Sequence, residues 1–171
     1  MDTKQIILDA TIKLMKVNKA NKLTVQNILD EAHVSRSTFY SFFSDKYDVI
    51  NYYFESYADS ISNENQNIEN NCAYQFLYDN KDYFINALSV EGQNSFEDFF
   101  YNYYYENCSR IYLENMNKES LSDDDRISLE FYCMGSLHIA KQWLTRGAKE
   151  SPLKMTELTH QLIPEKYWKP L

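Results

Sequence analysis

The chain is expected to be all-α, with a three-helix helix-turn-helix head joined to a longer helical body. Three observations predict this. Among 171 residues there are only three Gly and three Pro, too few for a sandwich or barrel that turns every few positions. Apolar residues recur at three- and four-residue spacing along most of the chain. Ser and Thr stand just ahead of those periodic runs, where a side-chain oxygen satisfies the free N–H groups of a helix's first turn.

The first element is "TKQIILDATIKLMKVN", with Ile6, Ile7, Ala10, Leu14 and Val17 at helical spacing and lysines on the other face. Thr24 caps the second, "NKLTVQNILDEA", whose Val25, Ile28, Leu29 and Ala32 form one apolar stripe. The turn "HVS" leads into a third helix over residues 35–43. Ser35 is its cap, and Val34, Phe39 and Phe43 turn inward together. Ser44-Asp45 opens a fourth helix, about Lys46 to Ser62. Its first-turn acid suits the positive end of the helix dipole. The Asn-rich "NENQNIENN" after it reads as a fraying end or a loop.

The body continues in the same manner. "AYQFLYDNKDYFINAL" has one apolar face. "SFEDFFYNYYYENCSRIYLENM" opens on Ser95-x-x-Asp98, a start like a capping box. There Phe96, Phe99, Phe100, Tyr103 and Ile111 keep helical spacing. "LSDDDRISLEFYCMGSLHIAKQWLTRG" opens on Ser122-x-x-Asp125 and closes at Gly147, a natural position for a left-handed cap. "SPLKMTELTHQLIP" has Ser151 as cap and Pro152 at the first helical position. A boundary after residue 47 is expected, giving a head over residues 1–47 and a body over 48–171. The fourth helix is shared by both.

Charge divides at the same place. The net charge is −8, yet residues 1–47 carry 7 Lys and Arg against 5 Asp and Glu, and the remainder 10 against 20. A polyanion would have to meet the head, because the body would repel it. Cys72, Cys108 and Cys133 are far apart and odd in number; they are expected to be reduced thiols of a cytoplasmic protein. The start of the chain is polar and charged, unlike a signal peptide. No apolar run approaches membrane-spanning length.

Two short helices joined by a three- or four-residue turn make a helix-turn-helix. In that arrangement the first helix crosses the DNA backbone and the second lies in the major groove. With Val34, Phe39 and Phe43 inward, Arg36, Ser37, Thr38, Tyr40, Ser41 and Phe42 face out. Their hydroxyls, with those of Thr24 and Ser35, can donate to phosphates, and Arg36 can reach a guanine edge or a phosphate. Lys46 sits at a helix start, where free N–H groups favour an anion. Spacing alone leaves a plain helical hairpin as the other reading.

The segment "TVQNILDEAHVSRSTFYSFFSDK" resembles the DNA-binding signature of the tetracycline-repressor (TetR) family. The matching positions are Thr24-Val25, Ile28, Ala32-His33-Val34-Ser35, Thr38-Phe39-Tyr40, Phe43 and Lys46. Two positions depart from the pattern. His33 stands where the family has Gly in the turn, so a positive φ is expected at a residue that tolerates it less well. Phe42 stands where the family has His or another polar residue; it either presses on a thymine methyl or packs.

The resemblance implies a homodimer on a near-palindromic double-stranded DNA operator, joined through the last two long helices. The helix from Asp123 to Arg146 is apolar on almost every face and so needs cover on two sides. One side is its own core; the other is a partner, or else further core of a monomer. The interface residues implied are Ile127, Phe131, Met134, Gly135 and His138, with Leu158 and Leu162 from the last helix. Gly135-Ser136 would let a second backbone approach. The resemblance also implies a small-molecule effector in the body, with Phe100, Tyr103, Tyr104, His138 and Trp143 as candidate contacts. An apolar, aromatic or cationic ligand suits this acidic, Tyr-rich region. No metal, cofactor or membrane partner is expected.

A narrower resemblance concerns Gly135, Trp143 and Gly147-x-x-x-Ser151-Pro152, a pattern similar to regulators of dihydroxyacetone-kinase operons, some of them co-activators. The expected function is a ligand-responsive repressor. The alternative is a co-activator or partner-recruiting regulator of the same fold that does not bind DNA independently. An enzyme is not expected: His33, His138 and His160 are the only histidines, and no hydrolase, phosphate-loop or paired Cys/His motif occurs.

Overall fold

The structure, a computed structural model, describes residues 2–63, 73–89 and 95–162. Within them lie nine α-helices and no strand. These are α1 (Thr3–Met15), α2 (Val25–Ala32), α3 (Arg36–Tyr40), α4 (Lys46–Asn63), α5 (Ala73–Asp79), α6 (Lys81–Ala87), α7 (Phe96–Met116), α8 (Asp123–Thr145) and α9 (Pro152–Leu162). The "NENQNIENN" stretch apart from its first residue, Asn63, together with Cys72 and the residues beyond Leu162, lies outside the described residues. No described helix is long and apolar enough to cross a membrane.

The chain forms two compact units, Met1–Asn71 with Asp79–Phe96, and Cys72–Tyr78 with Glu97–Leu171. The first unit holds α4 and also recruits α6 from well beyond the head.

In the first unit α1 is the central rod and packs against α2, α4 and α6. Its buried face is Ile7, Leu8, Ala10, Thr11 and Met15, rotated from the stripe that the sequence suggested. Val17 falls past the helix end at Met15 and is 80% exposed. Thr11 belongs inside because its hydroxyl donates to the Ile7 carbonyl at 2.9 Å, so no polar group is left unpaired. Tyr83 of α6 is wholly buried and its hydroxyl donates to the Ile50 carbonyl of α4 at 2.8 Å. Phe54, Phe84 and Phe96 complete the aromatic core, with ring centroids 5.5 to 6.3 Å apart.

The stretch from Ala73 to Ala87 is two helices rather than one. They break at Asn80 (φ −117, ψ 28), whose side-chain oxygen accepts the Tyr53 hydroxyl at 2.8 Å. Asp and Asn are poor in helix interiors because their side chains compete for backbone groups.

In the second unit Ser122 caps α8 by accepting the Asp125 N–H, and the Asp125 carboxylate accepts the Ser122 hydroxyl. Lys118 spans this carboxylate and the Tyr112 hydroxyl at 3.0 and 2.9 Å. Tyr112 and Leu129 form a buried pair, whereas the expected Ile111 is exposed, one residue's rotation around α7. Leu129, Cys133, Leu137, Ala140, Trp143 and Leu144 make the buried stripe of α8. The helix ends as expected at Gly147 (φ 91), with Gly147 N–H on Leu144 O and Ala148 N–H on Trp143 O, the paired bonds of a Schellman motif.

Candidate nucleic-acid interface

The reading segment is built from three local devices. Thr24 and Asn27 form a reciprocal capping box that starts α2. His33 then takes the left-handed conformation (φ 54, ψ 42), as expected for the turn, with Val34 N–H bonded to Leu29 O at 3.2 Å. Ser35 starts α3 by accepting the Thr38 N–H at 3.1 Å.

The helix itself is shorter than the expected 35–43. It spans Arg36–Tyr40, and its last turn tightens: Ser41 N–H is shared between the Ser37 and Thr38 carbonyls, and Phe42 N–H bonds Phe39 O. Such i−3 bonds are of the 3₁₀ type. Phe39 is 0% exposed and Tyr40 48%. Their rings meet edge to face at 5.3 Å. Phe39 and Phe43 pack at 5.9 Å, and Phe43 meets Tyr52 of α4 at 5.6 Å. Burying Phe39 and Phe43 stabilises the pose by roughly 1.5–3 kcal/mol per ring. Val34 is only half-buried. Lys4 of α1, which spacing did not single out, places its ammonium 3.7 Å from the Tyr52 ring centroid.

Around this anchor Arg36, Ser37, Tyr40, Ser41 and Phe42 are exposed and Thr38 is half-buried. Several are already engaged. Arg36 donates to Gln26 Oε1 at 3.1 Å. The hydroxyls of Ser37 and Thr38 lie 2.9 and 2.7 Å from that of Ser35. Ser41 donates its proton to the Thr38 carbonyl at 2.7 Å, so in this rotamer it can only accept. Lys46 is half-buried, and its ammonium donates to the carbonyls of Ala20 and Leu23 at 2.9 and 2.7 Å. Two of its three donors are therefore spent on the α1–α2 loop. The exposed face that remains is Tyr40 and Phe42, flanked by Arg36 and Ser37.

The candidates in the body fall into separate places. Ile127, Phe131, Met134, Gly135 and His138 are exposed along one side of α8, opposite its buried stripe. Phe131 reaches 83%. Leu158 and Leu162 are likewise exposed on α9. Ile127, Phe131, Gly135 and Leu162 line a groove of about 620 Å³.

Of the five effector candidates, His138 and Trp143 line one cavity of about 680 Å³, whereas Phe100, Tyr103 and Tyr104 lie apart from it. Trp143 is buried against Tyr74 and Tyr78, and its indole N–H donates to the Glu150 carbonyl at 3.1 Å. His138 is on the outer side of α8. Phe100 stacks on Tyr104 at 6.2 Å, and Tyr103 meets Phe99 at 5.9 Å. Tyr104 and Tyr132 share a hydroxyl–hydroxyl bond of 2.7 Å, and burial pushes both phenols above their ordinary pKa. Besides the α8–α9 groove, cavities of about 700 and 680 Å³ lie around Ser109–Arg110 and around His138–Gln142. Phe100, Tyr103 and Tyr104 line none of the three.

Residues 7–55 match the family model for bacterial regulatory proteins of the tetR family. Residues 71–165 match a model for a transcriptional regulator C-terminal region of the same family. Among curated proteins no sequence matches significantly. Similar solved structures include the dihydroxyacetone kinase operon activator DhaS, at 21% identity and TM-score 0.65, covering 94% of this chain and 93% of that one. A TetR transcriptional regulator from Streptococcus agalactiae has 22% identity and TM-score 0.63, covering 94% and 92%. The fatty acid degradation regulator FadR from Bacillus halodurans has 17% identity and TM-score 0.63, covering 95% and 94%. At these identities the likeness is one of fold.

Proposed function

The chain belongs to the TetR family of transcriptional regulators, and from that premise we propose that it is a cytoplasmic, homodimeric repressor that reads a near-palindromic operator. In this reading residues 1–47 carry the DNA contacts and residues 48–171 the dimer and effector functions. The protein regulates and does not catalyse.

One observation carries the reading: at adjacent positions of α3, Phe39 is sealed inside and Tyr40 stands outside. A short helix so anchored offers its other side to a groove. Tyr40 and Phe42 would contact sugar, phosphate or a thymine methyl, and Arg36 would contact a base edge or phosphate after leaving Gln26. Thr24, Ser35, Ser37, Thr38 and Ser41 would approach phosphates through hydroxyl or backbone groups. Lys46 would lend its third donor. The α8 stripe from Ile127 to His138, with Leu158 and Leu162, would face its two-fold mate. An effector would act in the body, with Phe100, Tyr103, Tyr104, His138 and Trp143 as its candidate contacts, shifting α4 only to the extent that it binds two poses with different affinity.

The test is a mobility shift at stated salt with DNA flanking the chain's own gene. Wild type should prefer that duplex to an unrelated one, and Tyr40→Ala should weaken binding about tenfold, a cost of the size of one good contact, with the dimer intact. Equal affinity for both duplexes would sink the proposal. Lys46→Ala is unsuitable here because it also releases the α1–α2 loop.

A second reading, an activator or recruiter that works through a partner, draws support from Gly135, Trp143 and Gly147-x-x-x-Ser151-Pro152. It is supported also by the likeness to a structure described as an operon activator. Under it, Tyr40→Ala would leave regulation unchanged in cells.

A further inference from the structure

Asn86 and Lys46 hold one loop from two different helices. α1 stops at Met15, so the Met15 carbonyl has no partner further along its own helix. Asn86 of α6 supplies one, its side-chain amide donating at 2.9 Å. The Asn86 carbonyl accepts the Ala20 N–H at 3.4 Å. The Ala20 carbonyl in turn accepts from the Lys46 ammonium, as does that of Leu23. Ala20 and Leu23 are 2% and 1% exposed. Ala20 is thus fastened on one side to α6 and on the other to α4. Thr24, which starts α2, follows Leu23 directly.

From this geometry we infer that Asn86 is a positioning residue for DNA reading. It fixes the loop over residues 16–23, and through the loop the start of α2 and the pose of α3, without touching the duplex. The inference rests on the DNA-binding reading above. The physical ground is the shortness of the parts. α3 has five residues and α2 eight, and helices of that length hold no pose of their own. Their orientation comes from what braces them. With the brace loosened, the head samples several poses, and apparent affinity falls by the fraction of time spent in the competent one. Nothing in the spacing of the first 47 residues points to a contributor 46 positions beyond the end of the reading helix at Tyr40.

The experiment compares full-length wild type, Asn86→Ala and Asn86→Asp on DNA flanking the gene, across a salt series, with dimer state checked by sedimentation. The Asp variant keeps the shape but cannot donate. Both variants keep the backbone bond from Ala20 to the Asn86 carbonyl and lose only the side-chain bond to Met15; stranding that one carbonyl should weaken binding about 5- to 30-fold. The salt dependence should stay unchanged, because no phosphate contact is removed. Affinity within about twofold of wild type together with a lower melting temperature would make Asn86 a structural cap only. A salt slope reduced by about one would make it a direct phosphate contact; either result overturns the inference while leaving the DNA reading intact. Failure of wild type to prefer any duplex removes that reading and the inference with it. Hydrogen exchange on wild type gives an independent check: the Ala20 amide should be protected, and exchange at the rate of an open loop overturns the proposal without any variant.

Discussion

The Lys46 ammonium lies 2.7 Å from the carbonyl oxygen of Leu23, the residue immediately before the Thr24 that caps α2. It also reaches the Ala20 carbonyl. A residue whose place at a helix start suggests phosphate contact is therefore first a brace inside the head. The two roles are compatible because an ammonium has three donors. They separate in their consequences: a phosphate contact matters only with DNA present, and a brace matters in the free protein.

Lys46→Met is expected to destabilise the free protein by about 2–3 kcal/mol, since it removes two charge-assisted bonds and strands two carbonyls. Tyr40→Ala, at an exposed site with one edge-to-face ring contact, should cost under about 1 kcal/mol. Urea unfolding of both variants in the absence of DNA checks this. Equal stabilities would show that the Lys46 bonds contribute nothing to the fold.

His33 occupies left-handed backbone at φ 54, a conformation that costs a residue with a Cβ about 1 kcal/mol and glycine almost nothing. Glycine also loses more freedom on folding, which offsets part of the gain. His33→Gly is expected to raise stability by up to about 0.5 kcal/mol, and His33→Val to lower it by about 1–2 kcal/mol. Thermal melts of the pair measure the difference. A Val variant as stable as wild type would contradict the strain.

Much of the head is legible because its signals are local. Thr24 and Ser35 each cap the helix that follows them, and the His33 turn needs its unusual φ for reasons visible in the sequence. The inward Phe39 and outward Tyr40 follow from helical periodicity. Periodicity fails where two faces are equally apolar. In α1, Ile6 and Leu14 were as plausible inside as Leu8 and Met15, and in α7 Ile111 competed with Tyr112. Only the partner's shape, and a Lys118 able to meet the Tyr112 hydroxyl, decides between them. Long-range hydrogen bonds leave no periodic trace at all. Asn86 to Met15 and Lys46 to Ala20 join residues 71 and 26 positions apart. Residue type alone does not separate core from cavity: aromatic side chains in a Tyr-rich chain pack on one another, as Tyr104 does on Phe100 and Tyr132, while Trp143 both packs and lines a cavity.

Phe131 stands 83% exposed on an α8 stripe shared with Ile127 and Met134. If a second copy covers this stripe, Phe131→Asp places a carboxylate in an apolar contact and should weaken dimerisation at least about tenfold. The fold of each subunit should be unaffected, because the side chain touches solvent in a single chain. Sedimentation of wild type and variant over a concentration series measures it. An unchanged oligomeric state would remove this face from the interface.

Tyr83 ties the stability of the first unit to alkaline pH. Its side chain is wholly enclosed and its hydroxyl donates to the Ile50 carbonyl. Burial, with Tyr53 nearby, holds the phenol well above its ordinary pKa of 10.0. The unfolded chain releases that proton near the ordinary value, before the folded chain does. Stability from this group is therefore complete below about pH 10 and declines as pH rises beyond it toward the folded value. Tyr83→Phe should be less stable at neutral pH by about 1 kcal/mol, the hydrogen bond it lacks. Above about pH 10 it should lose stability less steeply than wild type. Tyr104, raised chiefly by burial as well, acts in the same direction in the second unit, so Tyr104→Phe should flatten the decline there. Urea midpoints across the alkaline range test both variants. Curves that fall in parallel for wild type and Tyr83→Phe would show that this phenol does not govern the alkaline loss.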